Sequence, residues 1–146
     1  MLRATQFILL FVLVGSGRSA HVSDVRALIQ AVNNGSASDT VVIEPGVYAL
    51  PGPLQPKEGM TISGAGAGET VLCAADSWDP GVDDLPDRAT DHTSADREAY
   101  LVDLGSGTNE VTISDMTLMG PQLHGAVYGN DCDHLTLRNL VVRDFL

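Results

Sequence analysis

Val111-Thr-Ile-Ser-Asp-Met-Thr-Leu118 and Leu135-Thr-Leu-Arg-Asn-Leu-Val-Val142 are one pattern written twice, at an offset of 24. Val111, Ile113, Met116 and Leu118 fall on Leu135, Leu137, Leu140 and Val142, and Thr112 falls on Thr136. Alternation of apolar and polar residues is the mark of a half-buried strand. Here it breaks phase at Asp115 and Asn139, then resumes. Asp, Asn and Gly tolerate left-handed backbone, so such a residue at a phase break predicts a one-residue corner between two strands. Repeated at fixed spacing, corner and strands make a coil that stacks on the next at about 4.8 Å.

The pattern extends upstream. Met60-Thr-Ile-Ser-Gly64 matches Val111-Thr-Ile-Ser-Asp115, with Gly64 in the corner position, but at a spacing of 51. Setting aside the acidic stretch 74–99 brings that spacing down to 25, so one long insertion accounts for the lost period. Earlier still, Thr40-Val-Val-Ile-Glu-Pro-Gly-Val-Tyr48 reads as a strand, a Pro-Gly turn and a second strand, the first and irregular coil. Before it, Val25, Leu28, Ile29 and Val32 recur at helical spacing, with Ser23 as the expected N-cap and Asn33-Asn34-Gly35 as the stop. Asn34-Gly-Ser36 matches a glycosylation acceptor but reads as the turn closing that helix.

Composition agrees with an all-β chain of aliphatic strands and many turns: 15 glycines, 5% aromatic residues and 44% hydrophobic residues. The net charge of −11 leaves no basic patch to neutralise phosphates, which argues against a nucleic-acid partner. At the N-terminus, Arg3 precedes the apolar run Phe7 to Val14, and the small residues Gly15, Ser16, Gly17, Ser19 and Ala20 follow. This is the layout of a secretory leader, too short to span a bilayer comfortably. Residues 1–20 are therefore expected to be the leader, with cleavage between Ser16 and Ala20. The mature chain is expected to be secreted, periplasmic or at the cell surface, with no membrane partner. Two cysteines, Cys73 and Cys132, leave pairing and separate packed thiols both open.

The helix, the run from Asp39 to Tyr48 and the Thr61-Ile-Ser-Gly-Ala-Gly66 run together resemble the N-terminal region of pectate-lyase-like right-handed parallel β-helix proteins. The resemblance implies a right-handed parallel β-helix over residues 21–146, closed at its start by a short capping helix. With the chain stopping in mid-coil at Leu146, the solenoid is expected to be incomplete at its C-terminal end, as in a fragment. Members of the superfamily include polysaccharide lyases, glycoside hydrolases, epimerases and non-enzymatic surface proteins, so fold alone does not pass on a reaction. What it implies here is a carbohydrate-active protein working on an extracellular polysaccharide, or a non-catalytic, adhesin-like β-helix that binds glycans or proteins.

Several groups are candidates for chemistry. Gly64-Ala-Gly-Ala-Gly68 is not followed by a helix, so it reads as a turn and not as a phosphate cradle. The insertion carries Asp79, Asp83 and Asp84 among other carboxylates, which could collect Ca²⁺ through oxygen ligands. Ca²⁺ is also the ion commonly used by lyases of the resembling superfamily. Trp78, the lone tryptophan, either pins the insertion to the solenoid or stacks on a sugar; pinning is the preferred reading. His124 and Tyr128, in the stretch between the two best repeats, could act as base and acid in a β-elimination. Arg138, outward in the alternation, is the third catalytic candidate, because the resemblance implies an Arg or Lys base as used by several β-helix enzymes.

Overall fold

The computed structural model describes residues 17–80 and 99–146. Among the described residues, nine strands and one helix run in the order β1 (Ser19–Val22), α1 (Val25–Asn33), β2 (Thr40–Ile43), β3 (Gly46–Leu50), β4 (Thr61–Ser63), β5 (Thr70–Ala74), β6 (Tyr100–Ser106), β7 (Thr112–Met119), β8 (Gly125–Asn130) and β9 (Thr136–Arg143). The pairings between these strands are all parallel, and the chain winds as a β-solenoid of about four turns.

Register shows why the repeat is visible in the sequence. Thr112 lies beside Thr136 and Ile113 beside Leu137, an offset of 24, while Thr61 lies beside Thr112 at the offset of 51. The long strands β7 and β9 each turn a corner. The first half of β7 pairs with β4 and its second half with β5, so one face of the solenoid stacks β1, β2, β4, β7 and β9, and the next stacks β3, β5, β7 and β9. A third face is built from Leu54, β6 and β8.

The corner chemistry is partly as expected. Asp115 and Asn139 are left-handed, at φ 60° and 51°, and the Asn139 amide donates to Asp115 Oδ1 at 2.9 Å, one coil bracing the next. Gly64 differs. It is not among the left-handed residues; instead a Cβ there would run into the Asp115 carbonyl and crowd Thr70 and Met116. Glycine is needed at that corner for close approach of two coils, not for its φ. The turn that follows is also longer: the register offset drops from 51 at Thr61 and Thr112 to 46 at Val71 and Thr117, then to 25 at Tyr100 and Gly125. The first drop, of five, belongs to this glycine-rich turn, and only the second, of 21, to the acidic insertion between β5 and β6.

A second left-handed column, at the other end of the same face, is hidden in the sequence. Ser38, Gly59, Glu110 and His134 occupy equivalent positions in successive coils, with φ of 64°, 73°, 61° and 57°. Ser38 donates its N–H to the Glu58 carbonyl, Gly59 to Asn109 and Glu110 to Asp133, at 2.8 to 2.9 Å. Each acceptor is the residue just before the next coil's left-handed position. The reversed backbone aims its N–H along the stack, and so keeps the hydrogen-bond ladder whole where the chain bends.

Inward columns fill the core. Val41, Ile62 and Ile113 stack on one face and Tyr48, Leu72 and Leu118 on the next, all at most 2% exposed. Tyr48 brings a hydroxyl inside, which donates to the Glu44 carbonyl at 2.8 Å; burial, reinforced by Glu44 and Asp24, pushes its pKa up. The next members of these columns, Leu137 and Val142 on β9, are 49% and 54% exposed. Helix α1 buries Leu28 and Val32 completely and lies against β1, β2 and β3. Its N-cap is Asp24, one residue later than the expected Ser23, because the Asp24 carboxylate accepts from the Ala27 N–H at 2.8 Å. Asn34 closes the helix, its N–H bonded to the Gln30 carbonyl. The solenoid begins before Ala20: Ser19 and Ala20 are already paired with Thr40 and Val41.

Candidate functional site

The third face gathers the most chemistry. Tyr100 opens β6 opposite Gly125, and a Cβ at Gly125 would strike the Tyr100 ring. The glycine lets that ring lie across the neighbouring coil, where it meets Tyr128 with centroids 5.4 Å apart and planes tilted by 49°. Asp103 stands beside Tyr128 in register, is 5% exposed, and accepts the Gly105 N–H at 2.8 Å. Two aromatic rings that carry polar tips, next to a carboxylate, form a surface suited to a ligand with both apolar faces and hydroxyls.

The three residues expected to be catalytic are not assembled at one point. His124 is exposed, immediately before β8, its backbone N–H held by the Ala99 carbonyl at 2.9 Å. Tyr128 lies four positions further along the strand, about 13 Å at the rise of extended chain, beyond direct hydrogen-bond reach. Arg138 is on β9 in the other sheet, exposed, in the outward column with Ser63 and Ser114. There it has a different neighbourhood: the Asp115 carboxyl accepts from Ser114, Asn139 and Ser63 and feels the Arg138 charge, which together hold it below the usual carboxylate range. Hydrogen bonding dominates that shift, so the cluster reads as a bonded corner.

Asp79, expected as a calcium ligand, is exposed next to buried Trp78, while Asp83 and Asp84 lie outside the described residues. Among the described residues no three His, Cys, Asp or Glu side chains gather as a metal site, so they do not by themselves fit the ion. Trp78 belongs to the hydrophobic core at 5% exposure, and the Gln122 amide donates to the Trp78 carbonyl at 2.7 Å and to that of Ala75 at 3.1 Å. It anchors the start of the insertion, in line with pinning. Both cysteines are free. Cys73 sits on β5, and burial, with Asp76 nearby, pushes its thiol pKa up; Cys132 lies between β8 and β9, its Sγ 3.3 Å from the Asn130 carbonyl.

Tyr100 and Asp103 escaped sequence reading because both lie just past the insertion, where the period is interrupted. The available clue was Gly125, a glycine opening a strand, which marks close approach of another group. Compared with protein-family models, curated proteins and solved structures, the chain matches none, so its functional reading rests on its own geometry.

Proposed function

We propose that the chain is an exported right-handed parallel β-helix of pectate-lyase-like type, with α1 capping its first coil, that acts on an extracellular polysaccharide as a lyase or glycoside hydrolase. One observation carries this reading: the third face sets the Tyr100–Tyr128 pair and the in-register Asp103 beside the point where the acidic insertion rejoins the solenoid. Aromatic faces with polar tips recognise sugar rings, and the insertion supplies carboxylates in quantity for a cation that would offset uronate charge. The strong negative charge of the chain makes such a cation the simplest way to hold an acidic polymer.

The test is incubation with polygalacturonate, alginate and neutral polysaccharides, following the absorbance of unsaturated product and the release of reducing ends, with and without EDTA. Turnover that falls on Tyr128→Phe or Tyr100→Ala supports the reading; no product on any polymer sinks it. A second reading, a non-catalytic glycan- or protein-binding surface, is favoured by the separation of Arg138 from His124 and Tyr128 onto different sheets. Retention of the chain by immobilised polymer without turnover would select it.

A further inference from the structure

The junction between the leader and the solenoid carries an inference about processing, and it rests on the export reading above. Arg18 is already part of the fold. Its N–H donates to Asp39 Oδ1 at 2.8 Å, its carbonyl accepts from Thr40 N–H at 2.7 Å, and Ser19 begins the paired strand β1. Gly17 lies against the Ser38 backbone so closely that a Cβ would fall on the Ser38 carbonyl. The other Asp39 oxygen is occupied by the Ser36 N–H at 2.8 Å, so the carboxylate is fixed with one oxygen aimed at the nitrogen of residue 18.

Leader-removing endopeptidases need small residues one and three positions before the cut. Cutting after Ala20 leaves Arg18 in the outer of those positions, and cutting after Ser16 leaves the bulkier Val14 there. Cutting after Arg18 puts a long cation next to the scissile bond. Cutting after Ser19 satisfies both positions, but it removes Ser19 from its pairing with Thr40 and discards both backbone bonds of Arg18. The bond between Gly17 and Arg18 has Gly17 and Gly15 in the two positions and leaves β1 whole.

We propose that the leader is removed at the Gly17–Arg18 bond and that the new α-ammonium of Arg18 docks on the Asp39 carboxylate. Hydrolysis adds water across the peptide bond: the Gly17 carbonyl carbon takes the hydroxyl and leaves as a carboxylate, and the Arg18 nitrogen takes the protons. The amide N–H that already reaches Asp39 thereby becomes a charged donor in the same place. A neutral-donor hydrogen bond is converted into one charged on both sides, the stronger kind. The mature end of the chain is tied to the loop between α1 and β2 at the moment it is made.

The experiment expresses the full chain with its own leader in an export-competent host, then sequences the N-terminus and measures the intact mass of the exported protein. A start at Arg18 supports the inference. A start at any other internal residue overturns the site while leaving export standing; a chain kept inside the cell and still beginning at Met1 overturns both. The docking half is read separately on the exported protein. Asp39→Asn is expected to lower the thermal midpoint at low salt, with the loss shrinking in molar salt as the ion pair is screened. A loss indifferent to salt, or none, overturns the docking.

Discussion

Glu110 offers a substitution whose sign separates the corner geometry from ordinary strand behaviour. Its φ of 61° costs an L-residue about 1–2 kcal/mol relative to right-handed or extended backbone. Glycine has no such penalty, and loses only about 0.5–1 kcal/mol of extra chain entropy on folding. Glu110 is exposed, and the bond that matters, from its N–H to the Asp133 carbonyl at 2.9 Å, belongs to the backbone and survives the change. Glu110→Gly should therefore stabilise the chain by about 0.5–1 kcal/mol, a rise of roughly 1–4 °C in melting temperature. Removing a carboxylate from a chain of net charge −11 also relieves repulsion, so the comparison is with Glu110→Gln, which removes the charge and keeps the Cβ. Calorimetry of the two variants and the parent decides. A glycine variant melting at or below the glutamine variant would refute the claim that this position is held left-handed, and with it the column running from Ser38 to His134.

Other expectations follow from the same coils. Leu118→Ala, at a fully buried site between Leu72 and Val142, should cost about 2–5 kcal/mol in urea unfolding, whereas Leu137→Ala, half exposed on β9, should cost roughly 1 kcal/mol; equal costs would contradict the placing of β9 on the outer side of the stack. Asp115 has a folded-state pKa lowered below its unfolded value, so its stabilising contribution is complete above the unfolded value of about 3.9 and is lost as pH falls through the folded one. Asp115→Asn, which keeps a residue tolerant of left-handed backbone, should flatten the acid limb of the stability curve below about pH 4, and an unchanged limb would remove Asp115 as its source. Trp78 should emit at short wavelength, resist acrylamide quenching and ignore added saccharide; a red, quenchable or sugar-sensitive emission would return it to the role of a stacking platform.

How much of this was readable beforehand depends on whether a residue's own chemistry or its neighbour's coil sets its role. The offset of 24 was legible because Thr112 over Thr136 and Ile113 over Leu137 face the same sides of the stack, so similar surroundings select similar residue types. Asp115 and Asn139 were legible because both residue types tolerate the backbone they adopt. The second column was not. Ser38 and Glu110 are poor advertisements for left-handed backbone, and only the carbonyl waiting one coil away makes the conformation worth its strain. Pattern reading also overestimated the acidic insertion, since part of the excess spacing lies in the glycine-rich Gly64–Glu69 turn, which reads as an ordinary turn and gives no sign of its extra length.

The candidate site shows the same division more sharply. His124, Tyr128 and Arg138 were singled out by chemistry and proximity in sequence, but a solenoid puts residues together by equivalent position in successive coils, not by nearness along the chain. The short segment between Tyr128 and Arg138 carries the chain from one face to another. Tyr100 and Tyr128, much further apart in sequence, meet because their separation is one coil and a short step along the strand. Any catalytic grouping in such a fold must therefore be sought in columns: Asp103 with Tyr128 on one face, Ser63 with Ser114 and Arg138 on another. The first column pairs a half-buried phenol and aromatic surface with a nearly buried carboxylate. In the second, Ser63 and Ser114 hydrogen-bond the Asp115 carboxyl and Arg138 acts on it through its charge, so that column works as a brace for the corner between coils.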